Sequence, residues 1–255
     1  MRPGTYAPNP GAAPVARMIT AQAVLETKML LRNGEQLLLT VVIPSLILVL
    51  FSTVDIVETG AGRPVDFLAP GVLALAVMST AFTGQAIATG FERRYGVLKR
   101  LGASPLPRWA LMTAKTLSVL VTEVLQIVLL TLIAFGLGWS PHGNPVSVLL
   151  LLVLGTAAFS GLGLLMAGTL KAEATLAAAN LVFLLLLVGG GVIVPLDRFP
   201  DAARSVLGLL PISALSDGLR DVLQHGAGTP WGDLGILAGW AVLGLGAAAK
   251  FFRWE

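Results

Sequence analysis

The sequence contains no cysteine and few charged residues. Of its 255 residues only 12% are charged, whereas 55% are hydrophobic and the mean hydropathy is +0.84. Without cysteine the chain has no disulfides, iron–sulfur clusters or thiolate zinc sites. Soluble domains carry about 25% charged residues, so the charge present here is too sparse to cover a soluble surface. These absences exclude a soluble enzyme and indicate a protein that crosses a membrane several times.

Two further absences argue against catalysis by this chain. None of the five lysines follows a glycine, so the Gly-Lys pair of a phosphate-binding P-loop is missing. The only histidines, His142 and His225, lie in predicted external loops, which leaves no axial haem ligand within the membrane. We therefore expect this chain to have no catalytic residue, no metal site and no bound cofactor.

The hydrophobic runs predict the fold class. A membrane-spanning helix needs about 20 mostly apolar residues, and six stretches of that kind occur. Residues 184–187 are apolar at every position, whereas β-barrel strands would alternate apolar and polar residues. The predicted fold is therefore an all-α polytopic membrane protein with six transmembrane helices. The predicted spans are approximately 36–54, 67–88, 109–137, 146–170, 174–194 and 231–252.

The amino-terminal region has a different character. Residues 1–13 are rich in proline and lack an apolar core, so we expect a flexible tail. Residues 14–33 place apolar side chains at helical spacing, which predicts an amphipathic helix lying in the membrane interface. Residues 34–255 would then form a single transmembrane domain. The predicted apolar face of the interfacial helix comprises Val15, Met18, Ile19, Gln22, Leu25 and Met29.

The distribution of lysine and arginine predicts the orientation. With the amino terminus inside the cell, 13 of the 17 basic residues lie on the cytoplasmic side and four on the other. Positive charge concentrates in cytoplasmic loops, so both termini are expected to be cytoplasmic. This count places Lys115 in a cytoplasmic segment and Arg220 in an external loop.

The connection between spans 2 and 3 is the most informative segment. It predicts a short helix through Leu101 that ends at Gly102, because Pro105 and Pro107 prevent its continuation. The order of its residues resembles the membrane subunits of ABC transporters of the ABC-2 type, particularly the daunorubicin-type drug exporters. Val97 stands where that family commonly has threonine. The matching residues are Glu92, Arg93, Gly96, Leu98, Lys99, Arg100, Leu101, Ser104, Pro105, Leu106 and Arg108.

A second segment, residues 194–220, carries the same resemblance. Its Phe-Pro, Leu-Pro and Leu-Arg pairs are similar to those of the re-entrant helical pair between spans 5 and 6 of the family. The apolar pieces 206–210 and 212–215 are expected to dip into the membrane and return. The alternative is a plain amphipathic loop resting on the outer leaflet.

The resemblance implies a function and a set of partners. Such a chain is the membrane subunit of an exporter that moves a hydrophobic drug, antibiotic or lipid-like substrate across a bacterial plasma membrane. It implies pairing with a second, identical or related membrane subunit, and with a separate ATPase subunit that binds ATP and Mg; no nucleic acid is involved. The coupling helix that contacts this ATPase would comprise Glu92, Arg93, Arg94, Tyr95, Gly96, Val97, Leu98, Lys99, Arg100 and Leu101.

The resemblance also implies a substrate path between the two membrane subunits, lined mainly by spans 1, 2 and 5. Gln85 and Asn180 are the polar candidates for orienting a ligand, and the apolar candidates would provide contact area. The candidate path residues are Phe51, Met78, Phe82, Gln85, Asn180, Phe183 and Leu187.

Glu123 stands alone within span 3. A charge at the centre of a spanning helix costs about 2.5–3.5 kcal/mol even on lenient scales, so it is a functional candidate. It would serve a proton-coupled secondary transporter, or it would be protonated and hydrogen-bonded between helices near Gln126 and Thr122. A non-transporting scaffold and an exporter of polysaccharide or glycolipid are further alternatives. The low aromatic content, 7%, favours a hydrophobic drug or lipid over a sugar.

Overall fold

The computed structural model describes residues 13–34, 38–53, 63–102, 105–192 and 196–252. Within these ranges the regular elements are helices, and no strand occurs. The predicted tail lies outside the described residues except for residue 13. Further residues of the predictions also lie outside the described ranges: 36, 37 and 54 of predicted span 1, 193–194 of span 5, 194–195 of the second segment, and Ser104.

Helices follow one another along the whole of the described ranges. They are α1 (Val15–Arg32), α2 (Ile43–Thr53, preceded by a π-helical turn at Leu38–Val42), α3 (Pro64–Arg94), α4 (Val97–Gly102), α5 (Arg108–Gly136), α6 (Pro145–Thr169), α7 (Ala172–Gly189), α8 (Asp201–Leu207), α9 (Pro211–Leu223) and α10 (Trp231–Phe251). A 3-10 turn, Leu196–Arg198, precedes α8.

Five of these helices are long and apolar enough to cross a membrane, namely α3, α5, α6, α7 and α10. This confirms the prediction of an all-α membrane protein. The described part of predicted span 1 is shorter: its apolar helix runs from Thr40 to Thr53. Five helices, rather than the predicted six, therefore reach spanning length within the described ranges.

Helix α3 lies at the centre of the bundle. It is 31 residues long, and 94% of its most apolar stretch of 18 residues is buried. The helix packs against α2, α5, α6, α7 and α9. It extends beyond predicted span 2 at both ends, because Pro64 at its first turn favours helix initiation and the charged Arg93 and Arg94 continue it at the other end. Residues Met78–Gly84 widen into a π-helix, a distortion that is frequent at functional sites.

Helix α9 is the part of the second segment that enters the bundle. Ile212, Leu215 and Leu219 are fully buried, and α9 packs on α3, α6 and α10. The preceding piece stays at the surface, where Val206 and Leu209 are exposed. The two apolar pieces therefore differ in burial: the second is buried among other helices, whereas the first is only partly buried and meets α10 where Trp240 Nε1 donates to the carbonyl of Leu209.

Arg220 is not a loop residue, as the orientation count assumed, but a buried one. It forms an ion pair with Asp217 at 3.1 Å and donates a hydrogen bond to the carbonyl oxygen of Val192 at 2.8 Å. Its guanidinium lies over the ring of Phe67, 3.9 Å from the centroid. Buried charges are tolerated when they are paired and hydrogen-bonded in this way. Arg220 thus fastens α9 to the beginning of α3.

Candidate functional site

The segment 92–101 does not form one separate helix. Its first three residues are the last turn of α3, and the independent helix α4 begins only at Val97. Between them Gly96 adopts a φ of +68°, a left-handed conformation that terminates α3. This corrects the prediction of a continuous short helix, since the glycine turn divides the segment.

Three polar side chains of this segment are bound within the chain. Glu92 accepts from Lys115 of α5, and Arg94 pairs with Glu173 at the start of α7. Arg93 donates to two backbone carbonyls, those of Gly168 at the end of α6 and Leu170 just beyond it. The last turn of α3 is therefore tied to the ends of three neighbouring helices.

The rest of the segment presents a surface. Tyr95, Val97, Lys99 and Arg100 are exposed, whereas Leu98 is fully buried beneath them. Leu101 is half-buried. The turn and α4 therefore offer a mixed apolar and basic surface carried on a buried leucine anchor.

A buried ion cluster lies behind this surface. The Nζ atom of Lys115 is 2.5 Å from Glu92 Oε2 and 3.4 Å from Glu26 Oε2. Burial raises the pKa of Glu26, and the nearby Lys115 partly opposes this shift. The cluster joins α1, α3 and α5 through three charges, and only 4% of Lys115 is exposed.

A cavity of about 300 Å³ opens beside the ion cluster, between α1, the later half of α3 and the beginning of α5. Gln85, which directly follows the π-helical turn, forms part of its wall. The cavity therefore brings one predicted path residue next to Glu92 of the predicted coupling segment.

Further along the bundle, polar side chains bond between helices. Thr80 donates to Gln126 Oε1 at 2.8 Å, and Gln126 in turn donates to the carbonyl of Thr40. These bonds link α3, α5 and the π-turn before α2. Gln126 is thereby committed to partners other than Glu123.

Glu123 forms a hydrogen bond to another helix, but its partner is neither Gln126 nor Thr122, the residues expected from the sequence. Its Oε2 accepts from Thr156 of α6 at 2.7 Å. Thr122 donates instead to the carbonyl of Ser118 on its own helix. Within the described ranges Glu123 Oε1 is buried and has no hydrogen-bond partner.

The predicted path residues lie in different surroundings. Met78 and Phe82 are buried within the chain, and Phe82 lines a second, apolar cavity of about 400 Å³ together with residues of α6, α7 and α10. Phe51, Phe183 and Leu187 are half-buried against the core. Asn180 is exposed and donates to the carbonyl of Leu176 on its own helix. The structure thus separates Gln85 and Phe82 into two cavities, and the role of all seven in a substrate path stays a prediction.

Sequence reasoning missed Glu26 and Lys115. The predicted apolar face of α1, expected to lie in the membrane interface, includes Leu25 and Met29, and both are exposed. Ala23 and Glu26, which the prediction did not mark, face α5. A signal was present, because a lysine only eight residues into α5 is a costly residue for a spanning helix unless it is paired.

These features define a multi-pass membrane protein with a buried central helix and a basic loop surface at one end. A family model described as an ABC-2 family transporter protein matches residues 58–250. The chain therefore belongs to the ABC-2 family of transporter proteins, and it is a membrane transport subunit rather than an enzyme.

Two relatives from Bacillus subtilis (strain 168) agree with this assignment. YvfS, whose name assigns it provisionally to the transport permeases, is 26% identical over 232 residues, covering 89% of this chain and 93% of its own. The linearmycin resistance permease protein LnrN is 30% identical over 167 residues, covering 63% of this chain and 43% of its own.

Proposed function

We propose that this chain is the membrane-spanning subunit of an ATP-driven exporter in a bacterial plasma membrane. A separate ATPase subunit binds ATP and Mg, a second membrane subunit completes the path, and the cargo is a hydrophobic drug, antibiotic or lipid-like molecule. Family membership supports transport. The name of LnrN, which refers to linearmycin resistance, supports an antibiotic-like cargo.

The observation that carries the proposal is the way the segment 92–101 is held. Tyr95, Val97, Lys99 and Arg100 form the exposed surface that the ATPase would contact. Glu92, Arg93 and Arg94 bind neighbouring helices, so a displacement of α4 is passed on to α1, α5 and the α6–α7 connection. A loop without these ties would absorb the displacement.

Two substitutions at Gly96 test the proposal. Nothing lies within 4 Å of a Cβ added there, so any effect comes from backbone conformation and not from a clash. Valine strains the left-handed conformation, whereas asparagine adopts it readily. The tagged chain is purified from its native host, and we expect an ATPase to co-purify and transport to require ATP. Gly96→Val should abolish most transport at equal expression, and Gly96→Asn should retain it.

Two results would overturn this proposal. One is a purified chain that transports without any ATPase partner. The other is a transport rate of the Gly96→Val variant that equals the rate of the Gly96→Asn variant. The left-handed turn at Gly96 would then have no part in coupling.

A proton-coupled transporter is the second candidate, favoured by the unpartnered Oε1 of Glu123. Glu123→Gln removes the titratable proton, while the remaining side-chain oxygen still accepts from Thr156. Under the ATP-driven proposal we expect this variant to transport at close to the wild-type rate. Flux into proteoliposomes is measured with ATP alone and with a pH gradient alone. A flux that needs only the gradient and disappears in Glu123→Gln would establish the second candidate instead.

A further inference from the structure

The cavity beside the ion cluster lies within one chain, whereas the substrate path implied by the family resemblance runs between two subunits. Its volume is about 300 Å³, and most of its wall is apolar. Drug-sized ligands occupy cavities from about this volume upward, in which a few polar groups fix the orientation of the ligand. The apolar wall includes Met29, Leu30, Phe91, Val97 and Val119.

Gln85 supplies an unused polar group to this cavity. The residue is 5% exposed, and neither Nε2 nor Oε1 has a hydrogen-bond partner among the residues that the structure describes. A buried polar group without a partner is energetically unfavourable, because it has lost its hydrogen bonds to water. The amide of Gln126 is by contrast bonded at both ends, to Thr80 and Thr40. Gln85 therefore carries an unused acceptor and an unused donor just beneath the cavity wall, and its side chain must turn to present them to a ligand.

The wall of the cavity contains more carboxyl groups than cationic groups. The ionisable side chains that line it are Glu26, Glu92, Lys115 and Tyr95. Burial raises the pKa of Glu26 and opposes its ionisation, whereas a cation bound beside it favours the ionised form. With both carboxylates ionised, one positive charge faces two negative charges. Lys115 lies closer to Glu92 than to Glu26, so Glu26 is the less neutralised carboxylate. A buried site with excess negative charge favours a cationic ligand.

We propose that this cavity binds an amphipathic organic cation. The apolar body of the ligand lies against the wall, and its ammonium group lies beside Glu26 and donates to Gln85 Oε1. A neutral ligand would leave the negative charge unbalanced, and an anion would add to it. The use of the cavity as a first binding site for cargo rests on the proposed export function, whereas the binding itself does not.

Binding is tested on the full chain in lipid nanodiscs, without nucleotide. Three probes share one naphthalene ring: 1-naphthylmethylammonium is cationic, 1-naphthalenemethanol is neutral and 1-naphthylacetate is anionic. Titration is followed by naphthalene fluorescence against empty nanodiscs. We expect one saturable cation site per chain, and binding at least about tenfold weaker for the other two probes, as for one lost charge-assisted hydrogen bond.

Two variants locate the site. Glu26→Gln should weaken cation binding about tenfold and leave the neutral probe unchanged, and Gln85→Leu should weaken cation binding to a similar degree. The Glu92–Lys115 pair persists in Glu26→Gln, so this variant should fold, and its melting temperature verifies that. Glu173→Gln is the matched control: it neutralises an acid of the exposed pair with Arg94, outside the cavity, and should not change binding.

Three results would overturn the inference: no saturable cation binding above empty nanodiscs, tighter binding of the anion, or unchanged cation binding in a folded Glu26→Gln variant. Tighter binding of the anion would show that Lys115 holds the probe. Unchanged cation binding in Glu26→Gln would show that the bilayer holds it. Absent binding together with intact ATP-driven transport would overturn this inference alone. Binding by a chain that has no ATPase partner would overturn the proposed function alone.

Discussion

Replacing Gly161 with leucine should prevent α6 and α10 from packing and so leave little folded protein. A Cβ atom at Gly161 would lie 2.5 Å from the backbone nitrogen of Leu245 and 2.7 Å from the carbonyl carbon of Gly244. Both neighbours are backbone atoms and cannot turn aside as a side chain can. Small residues allow this close approach of helices in membranes, and overpacking commonly costs about 1–3 kcal/mol or more. The yield of monodisperse protein and its melting temperature measure the loss.

The control for this prediction lies on α10 itself. Gly246 is exposed, and nothing lies within 4 Å of a Cβ added there. Gly246→Leu should therefore be produced and melt like the wild type. If Gly161→Leu gave the same yield and melting temperature as Gly246→Leu, the close approach of α6 and α10 would not hold the bundle together.

The helices could be predicted from the sequence because apolar runs of spanning length report on the membrane directly. The ends of the helices were harder to predict than the helices themselves. Predicted span 2 ended at residue 88, where hydrophobicity falls, but α3 continues to Arg94. Its last turn is stabilised by hydrogen bonds and ion pairs to other helices, and hydropathy does not record these.

The polar contacts of the candidate site were harder to predict for a related reason. Lys115 lies 89 residues from Glu26, and Glu123 lies 33 residues from Thr156. A single sequence gives neighbours along a helix, so Gln126 and Thr122 were the expected partners of Glu123. Which face of α1 turns inward depends on a buried carboxylate finding a distant lysine. Hydrophobic periodicity marked Leu25 and Met29 for the membrane interface and gave no sign of the face that contacts α5.

Lys115→Met should destabilise the protein more than the loss of any surface ion pair. Methionine fills a similar volume but leaves the buried Glu26 and the half-buried Glu92 as two carboxylates without a cation. Removing one partner from a buried ion pair costs about 3–5 kcal/mol. Arg94→Met is the control, because it breaks the exposed pair with Glu173, and such pairs contribute about 1 kcal/mol or less. Melting temperatures in one detergent compare the two variants.

Two further measurements separate the charge of Lys115 from its packing. Glu26→Gln and Glu92→Gln, added to Lys115→Met, remove the unpaired charges and should restore most of the stability. Burial already raises the pKa of Glu26, and without Lys115 this pKa rises further. Such a carboxyl destabilises the fold only while it is ionised, so the deficit of Lys115→Met should shrink as the pH falls from about 8 to about 5. A deficit that persists in the triple variant and does not change with pH would mean that Lys115 acts through packing. The cluster would then not be the electrostatic link between α1, α3 and α5.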